Sequence, residues 1–201
     1  MLRTSSIELQ HDSLSIDEPL HRPQNGSAGM AISENGHTFE KGSTAAKAYE
    51  QSNLTSSQLQ IWMGQNLLPE VPIYNLAVAL NIHGEIDPVH FGNAFQSLIN
   101  SSDALRTVLE ETDGIPMQKV LPVLQYAIDV NDFSMVPNPE SAARKWMQKR
   151  GESLFNWEKC LFDAALIKLS VKEFVWYLNI HHLVGDGWSF ELIYRQMADL
   201  Y

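Results

Sequence analysis

The sequence predicts an α/β fold, a two-layer sandwich with a mixed β-sheet covered by helices, behind a disordered N-terminal leader. Three observations predict it. Segments of helical and of strand period alternate from Leu54 to the last residue, the pattern of a sheet with helices packed over it. An apolar fraction of 44%, with 9% aromatic residues, is enough to build a core. Residues 1–48, by contrast, carry no period at all.

That first stretch mixes Ser5, Ser6, Ser13, Ser15, Ser27, Ser33 and Ser43 with Gly26, Gly29, Gly36, Gly42, Pro19 and Pro23. It buries too little surface to offset its chain entropy, so residues 1–48 read as a disordered leader and 49–201 as the folded unit. No continuous apolar run of a secretory signal follows the first residues, and Glu8, Asp12, Asp17 and Glu18 stand where transit peptides avoid acids. The hydroxyls of Thr55, Ser56 and Ser57 then offer caps to a helix carrying Leu59, Ile61, Trp62, Leu67 and Leu68, which ends near Pro69. Leu76, Val78, Leu80 and Ile82 alternate with Ala77, Ala79, Asn81 and His83, giving a strand with one strongly apolar face. Asp87-Pro88 caps a helix whose Phe91, Ala94, Phe95, Leu98 and Ile99 recur at helical spacing. Leu105–Glu111 and Met117–Leu121 flank Asp113-Gly114 as a hairpin. A short strand over 126–130, a helix over 139–154, strands over 164–169 and 174–181, and a helix from Ser189 to the end complete the pattern.

Composition excludes several function classes. The 14 Lys+Arg against 24 Asp+Glu leave a net charge of −10, which is unsuited to nucleic acid, whose binding draws on clustered cations. The lone cysteine, Cys160, forms no internal disulfide and no Cys-based zinc site, so a reducing, cytoplasmic compartment is expected. No apolar run approaches a membrane span, and no membrane partner is expected.

The strongest local signal runs from His181 to Ser189, His-His-Leu-Val-Gly-Asp-Gly-Trp-Ser. From this chain's own composition the spaced pattern HHxxxDG arises by chance on the order of once in a thousand such chains. Phe174, Trp176, Leu178 and Ile180 share one strand face, and continuing that parity places His182 on the same, enclosed side. There a neutral imidazole can accept or donate a proton near pH 7. Taken alone, a histidine on an apolar strand face also reads as a satisfied core residue, and Asp186-Gly187 as a turn. Zinc is a poor reading, because adjacent strand histidines point to opposite faces and no HExxH or cysteine pair supplies further ligands; no metal is expected.

The stretch from His181 to Ser189 resembles the HHxxxDGWS signature of condensation domains of nonribosomal peptide synthetases, in the acyltransferase superfamily typified by chloramphenicol acetyltransferase. Two earlier segments agree in order. Leu54–Trp62 resembles the opening motif L(S/T)xAQxRLW, departing from it at Ser57 and Gln60. Ser101–Leu109 resembles RHExLRTxF, keeping Leu105, Arg106 and Thr107 but lacking the initial Arg-His pair.

The resemblance implies a chloramphenicol acetyltransferase-like lobe over 49–201, the N-terminal of two, with the C-terminal lobe absent. By position His182 matches the active-site histidine, while His181, Asp186, Gly187 and Arg106 match residues that shape the site. Asp186 would pair with Arg106, since a buried carboxylate needs a partner, and Gly187 would let the backbone approach a thioester. The implied reaction passes an acyl or peptidyl group from one carrier to the amine of an aminoacyl group on a second. No cofactor would bind directly; substrates would ride on the phosphopantetheine of carrier domains, with an adenylation domain as a further partner. An acyl-CoA or carrier-dependent acyltransferase of the same superfamily, and a non-catalytic truncated fragment or docking module, are the alternatives. Epimerisation domains share HHxxxDG, but Trp188-Ser189 fits the condensing type better; heterocyclisation domains would carry acids in place of the histidines.

Other features weigh less. Arg144, Lys145, Lys149 and Arg150 read as a solvated helix face, with a carrier or its phosphate as the alternative. Trp146, Phe155 and Trp157 read as core, and Cys160 as a small buried hydrophobe.

Overall fold

A computed structural model of the chain describes residues 30–32, 38–40 and 43–201. The element order is β1 (Met30–Ile32), β2 (Thr38–Glu40), α1 (Thr44–Gln51), α2 (Ser56–Leu67), β3 (Asn75–His83), α3 (Pro88–Ser101), a 3-10 turn (Ala104–Arg106), β4 (Thr107–Thr112), β5 (Ile115–Val120), β6 (Asp129–Asp132), α4 (Pro139–Gly151), β7 (Phe162–Ser170), β8 (Glu173–His181) and α5 (Gly187–Leu200).

The main sheet has the order β3-β8-β7-β6, with β6 parallel to β7 and the other pairs antiparallel. It is the mixed sheet under helices that the alternating periods indicate, and the helices divide between its two faces. Strand parity separates the two cores. On one face Ala164, Leu166, Trp176, Leu178 and Ile180 pack beneath Phe91, Phe95, Leu98 and Ile99 of α3 and Phe190, Ile193 and Met197 of α5. The alternate residues Ala165, Ile167, Val175 and Tyr177 meet Ala143 and Met147 of α4. The central strands β7 and β8 are thus buried on both sides, which is why their sequence is almost continuously apolar. Burial of this kind stabilises by about 25 cal/mol per Å² of apolar surface, and edge-on ring pairs such as Phe95 with Trp176, at 5.8 Å, add geometric definition.

Local chemistry sets most boundaries. Thr55 and Gln58 form a reciprocal capping box on α2, and Asp87 accepts the Val89 and His90 N–H groups at 2.8 and 3.0 Å to start α3 behind Pro88. Asp113 and Gly114 both take positive φ, 53° and 76°, the geometry of a tight hairpin between β4 and β5. That hairpin forms its own two-stranded sheet. It is tied down by the Leu109 N–H, which donates to the Trp157 carbonyl at 2.8 Å.

Three boundaries differ from expectation. Helix α1 begins within the stretch read as leader and crosses its expected end at residue 48: Ser43 accepts the Ala46 N–H, and Ala46 and Ala48 are buried. Two small methyl side chains, with Tyr49 packed beside them, dock the helix, a signal that a search for a run of large apolar residues misses. Strands β1 and β2 also pair within residues 1–48; the remainder of the expected disordered leader lies outside the described residues. The strand read over 126–130 begins instead at Asp129, because Tyr126 turns inward and its hydroxyl takes the Ala164 N–H at 2.7 Å. Helix α5 begins two residues before Ser189, because Asp186 is its cap.

Candidate active site

Strand β8 ends at His181, and residues 182–186 form the loop that leads into α5. His181 is 1% exposed. Its ring is surrounded by those of Trp157, Phe155 and Tyr74, at 5.6, 6.1 and 6.1 Å. Its Nδ1 accepts the Leu183 N–H at 3.2 Å, so the ring proton sits on Nε2. Burial, with the neighbouring His182 second, pulls its pKa down to about 4, and the ring is neutral at pH 7. His181 therefore folds the loop from inside.

His182 is exposed, which corrects the expectation that strand parity encloses it. The strand stops one residue earlier; the His182 N–H still donates in register to the Tyr74 carbonyl at 2.8 Å, but no helix covers the ring there. The ring is nevertheless held. Its Nδ1 lies 2.9 Å from the Gly185 carbonyl, which only accepts, so Nδ1 carries the proton and Nε2 presents its lone pair. Gly185 fits this turn closely: an added Cβ would stand 3.3 Å from the Ser189 Cβ and 3.4 Å from the Ile180 Cγ2, a tight but not prohibitive fit.

Asp186 and Arg106 do not meet in the way the resemblance implies. Asp186 is exposed and caps α5, accepting the Ser189 N–H at 2.9 Å and its hydroxyl at 2.8 Å. Those bonds, the backbone one first, hold its carboxyl below the usual range. An exposed, capped carboxylate needs no buried cation. Arg106 instead staples the base of the β4–β5 hairpin: Nη2 donates to Asp103 at 2.6 Å, and Nη1 to the carbonyls of Leu121 and Pro122. Gly187 faces open space, with nothing within 4 Å of an added Cβ, so the start of α5 can be approached closely.

Gln58 was not singled out by sequence reasoning, although it stands inside the opening motif. Its Nε2 donates to the Leu183 carbonyl at 3.0 Å and to Gln118 at 3.2 Å, while its Oε1 accepts the Thr55 N–H at 2.9 Å. One side chain thus joins α2, the hairpin and the histidine loop. Of the basic helix face, Arg144, Lys145 and Lys149 are on the outside, whereas Arg150 turns inward to grip Asp163 with two bonds, at 2.6 and 2.7 Å, and stacks on Trp146.

The site is thus a histidine with Nδ1 tied to a backbone carbonyl at the end of a buried strand, beside an open helix start. Residues 49–201 match the family model of the condensation domain. The chain belongs to the condensation domain family. This condensation domain is 33% identical over 152 residues to the dimodular nonribosomal peptide synthase of Bacillus subtilis, covering 75% of this chain and 6% of the relative. It is 28% identical over 150 residues to the isonitrile lipopeptide synthase of Streptomyces coeruleorubidus, covering 74% and 10%. The starter condensation domain of rhizomide synthetase superposes with a TM-score of 0.70 at 31% identity, over 74% of this chain and 38% of that one. The first condensation domain of the calcium-dependent antibiotic synthetase gives 0.69 at 26% identity, over 73% and 36%. The chain therefore spans a small fraction of its curated relatives and little more than a third of those solved chains. No helix among the described residues is long and apolar enough to cross a membrane.

Proposed function

We propose that residues 49–201 form the histidine-bearing N-terminal lobe of a condensation domain that joins a carrier-bound acyl or peptidyl thioester to the amine of a carrier-bound aminoacyl group. The observation that carries this reading is the bond between His182 Nδ1 and the Gly185 carbonyl, which leaves Nε2 as an oriented proton acceptor. An α-amino group has a reference pKa of about 7.7–8.0, so about a tenth of it is already neutral and nucleophilic at pH 7 and a strong base is not needed. The amine nitrogen attacks the thioester carbonyl carbon, and Nε2 takes the proton that nitrogen sheds. As the tetrahedral intermediate collapses, the C–S bond breaks and that proton passes to the departing sulfur. Most of the rate comes from holding two tethered substrates together.

The exposure of His182 supports a second surface that closes over it, which we assign to a C-terminal lobe; carrier and adenylation domains are the further partners. In an assembly where this lobe is joined by its second lobe and carriers, His182→Ala should abolish peptide-bond formation while carrier loading persists. Unchanged product formation would sink the proposal.

A further inference from the structure

Gly64 stands inside α2 with an ordinary helical φ; among the described residues the glycines with positive φ are Gly84 and Gly114. A helix interior disfavours glycine against alanine, so what glycine offers at this position is space. The space is filled. A Cβ built on Gly64 would overlap the Tyr74 hydroxyl oxygen and stand 3.0 and 3.1 Å from Cζ and Cε2 of the same ring. The phenol of Tyr74 thus lies in a notch of α2 that any larger residue would close.

From that seat Tyr74 meets both histidines. Its ring lies 6.1 Å from that of His181, and its carbonyl accepts the His182 N–H at 2.8 Å. This bond adds one rung to the β3–β8 ladder beyond the pair of Asn75 with His181, at the end where a ladder frays most readily. The loop that delivers Tyr74 is fastened to the same helix: the buried Gln65 donates from Nε2 to the Leu68 and Val71 carbonyls, at 2.9 and 2.8 Å. The hydroxyl is rigid with its ring, so it leaves the notch only if the whole ring swings. That swing removes the side-chain anchor of the backbone that holds His182.

We propose that Tyr74 is a positioning residue for His182: its phenol, seated against Gly64, pins the end of the β3–β8 ladder and so keeps the His182 backbone and its ring in place. That this place serves condensation rests on the proposed function; the seat itself does not.

NMR of the isotopically labelled full chain reads the bond directly, through the scalar coupling between the His182 nitrogen and the carbonyl carbon of residue 74. Tyr74→Ala, which empties the notch, should abolish that coupling and turn the Nδ1-protonated His182 tautomer into a mixture, while couplings across the middle rungs of the ladder persist. Gly64→Ala, which expels the phenol, should do the same. Adding Tyr74→Phe to Gly64→Ala should restore coupling and tautomer, because only the ring contact at 3.0 Å then has to relax. An unchanged coupling and tautomer in either single variant overturns the proposal. So does a loss that spreads equally through the middle rungs, or one that Tyr74→Phe fails to rescue. If Gly64→Ala does not fold, Tyr74→Ala decides. These readouts are independent of product formation by the His182 variant, and each proposal can fail alone.

Discussion

Replacing Gln58 tests whether one side chain couples the opening motif to the histidine loop. Gln58→Ala removes the bond from the Thr55 N–H and the two donations to Leu183 and Gln118. At a net of about 0.5–1.5 kcal/mol for each bond, the loss is about 2–4 kcal/mol. For a chain of this size each kcal/mol lowers Tm by about 2–4 °C, so a drop of about 4–16 °C is expected by circular dichroism. Gln58→Glu is the sharper variant. Its carboxylate still accepts the Thr55 N–H, preserving the capping box, but it cannot donate to the Leu183 carbonyl and sets an anion against it. The glutamate should therefore keep the helix content while losing about 1–3 kcal/mol through the two donated bonds. A second readout separates bracing from simple stability: NMR of His182 should show the Nδ1-protonated tautomer in the parent and a mixture in Gln58→Glu. If Gln58→Glu melts within about 1 °C of the parent with the His182 tautomer unchanged, the coupling is refuted.

Further outcomes follow from the two other residues that shape the loop and hairpin. His181 has a folded-state pKa of about 4, below the ordinary value of 6.5, so the unfolded chain binds the extra proton between these values. Its contribution to stability is full above pH 6.5 and is lost as pH falls toward 4, by on the order of 3 kcal/mol. Urea unfolding across that range should show stability rising with pH, and His181→Gln should flatten the slope; an unchanged slope contradicts the burial argument. Arg106→Ala should destabilise the chain by about 2–3 kcal/mol through the bonds to Asp103 and Leu121. Combined with Asp186→Ala in a double-mutant cycle, its effect on stability should be additive; strong coupling would restore a direct pair between them.

Much of the fold was legible along the chain because local rules and tertiary packing agree. Asp87-Pro88, Thr55 with Gln58, and Asp113-Gly114 each specify a cap or turn through their own backbone chemistry, and the structure places α3, α2 and the hairpin there. Helix α1 escaped because its buried residues, Ala46 and Ala48, are small and Tyr49 alone beside them marks no period. The inward turn of Tyr126 was equally silent, since its partner Ala164 lies 38 residues away.

The histidine motif shows the same division. The sequence alone determined that His181 and His182 end an apolar strand ahead of a helix start, and that the run of three ordered motifs marks a condensation domain. Only the tertiary structure decided which histidine is buried, because that depends on the rings of Tyr74, Phe155 and Trp157 closing around His181 from distant parts of the chain. It alone decided that Asp186 caps α5 and that Arg106 serves the hairpin, since an ion's partner is set by burial and proximity across the chain, not by spacing along it. Periodicity and capping are properties of neighbours in sequence; tautomer, pairing and exposure belong to neighbours in space.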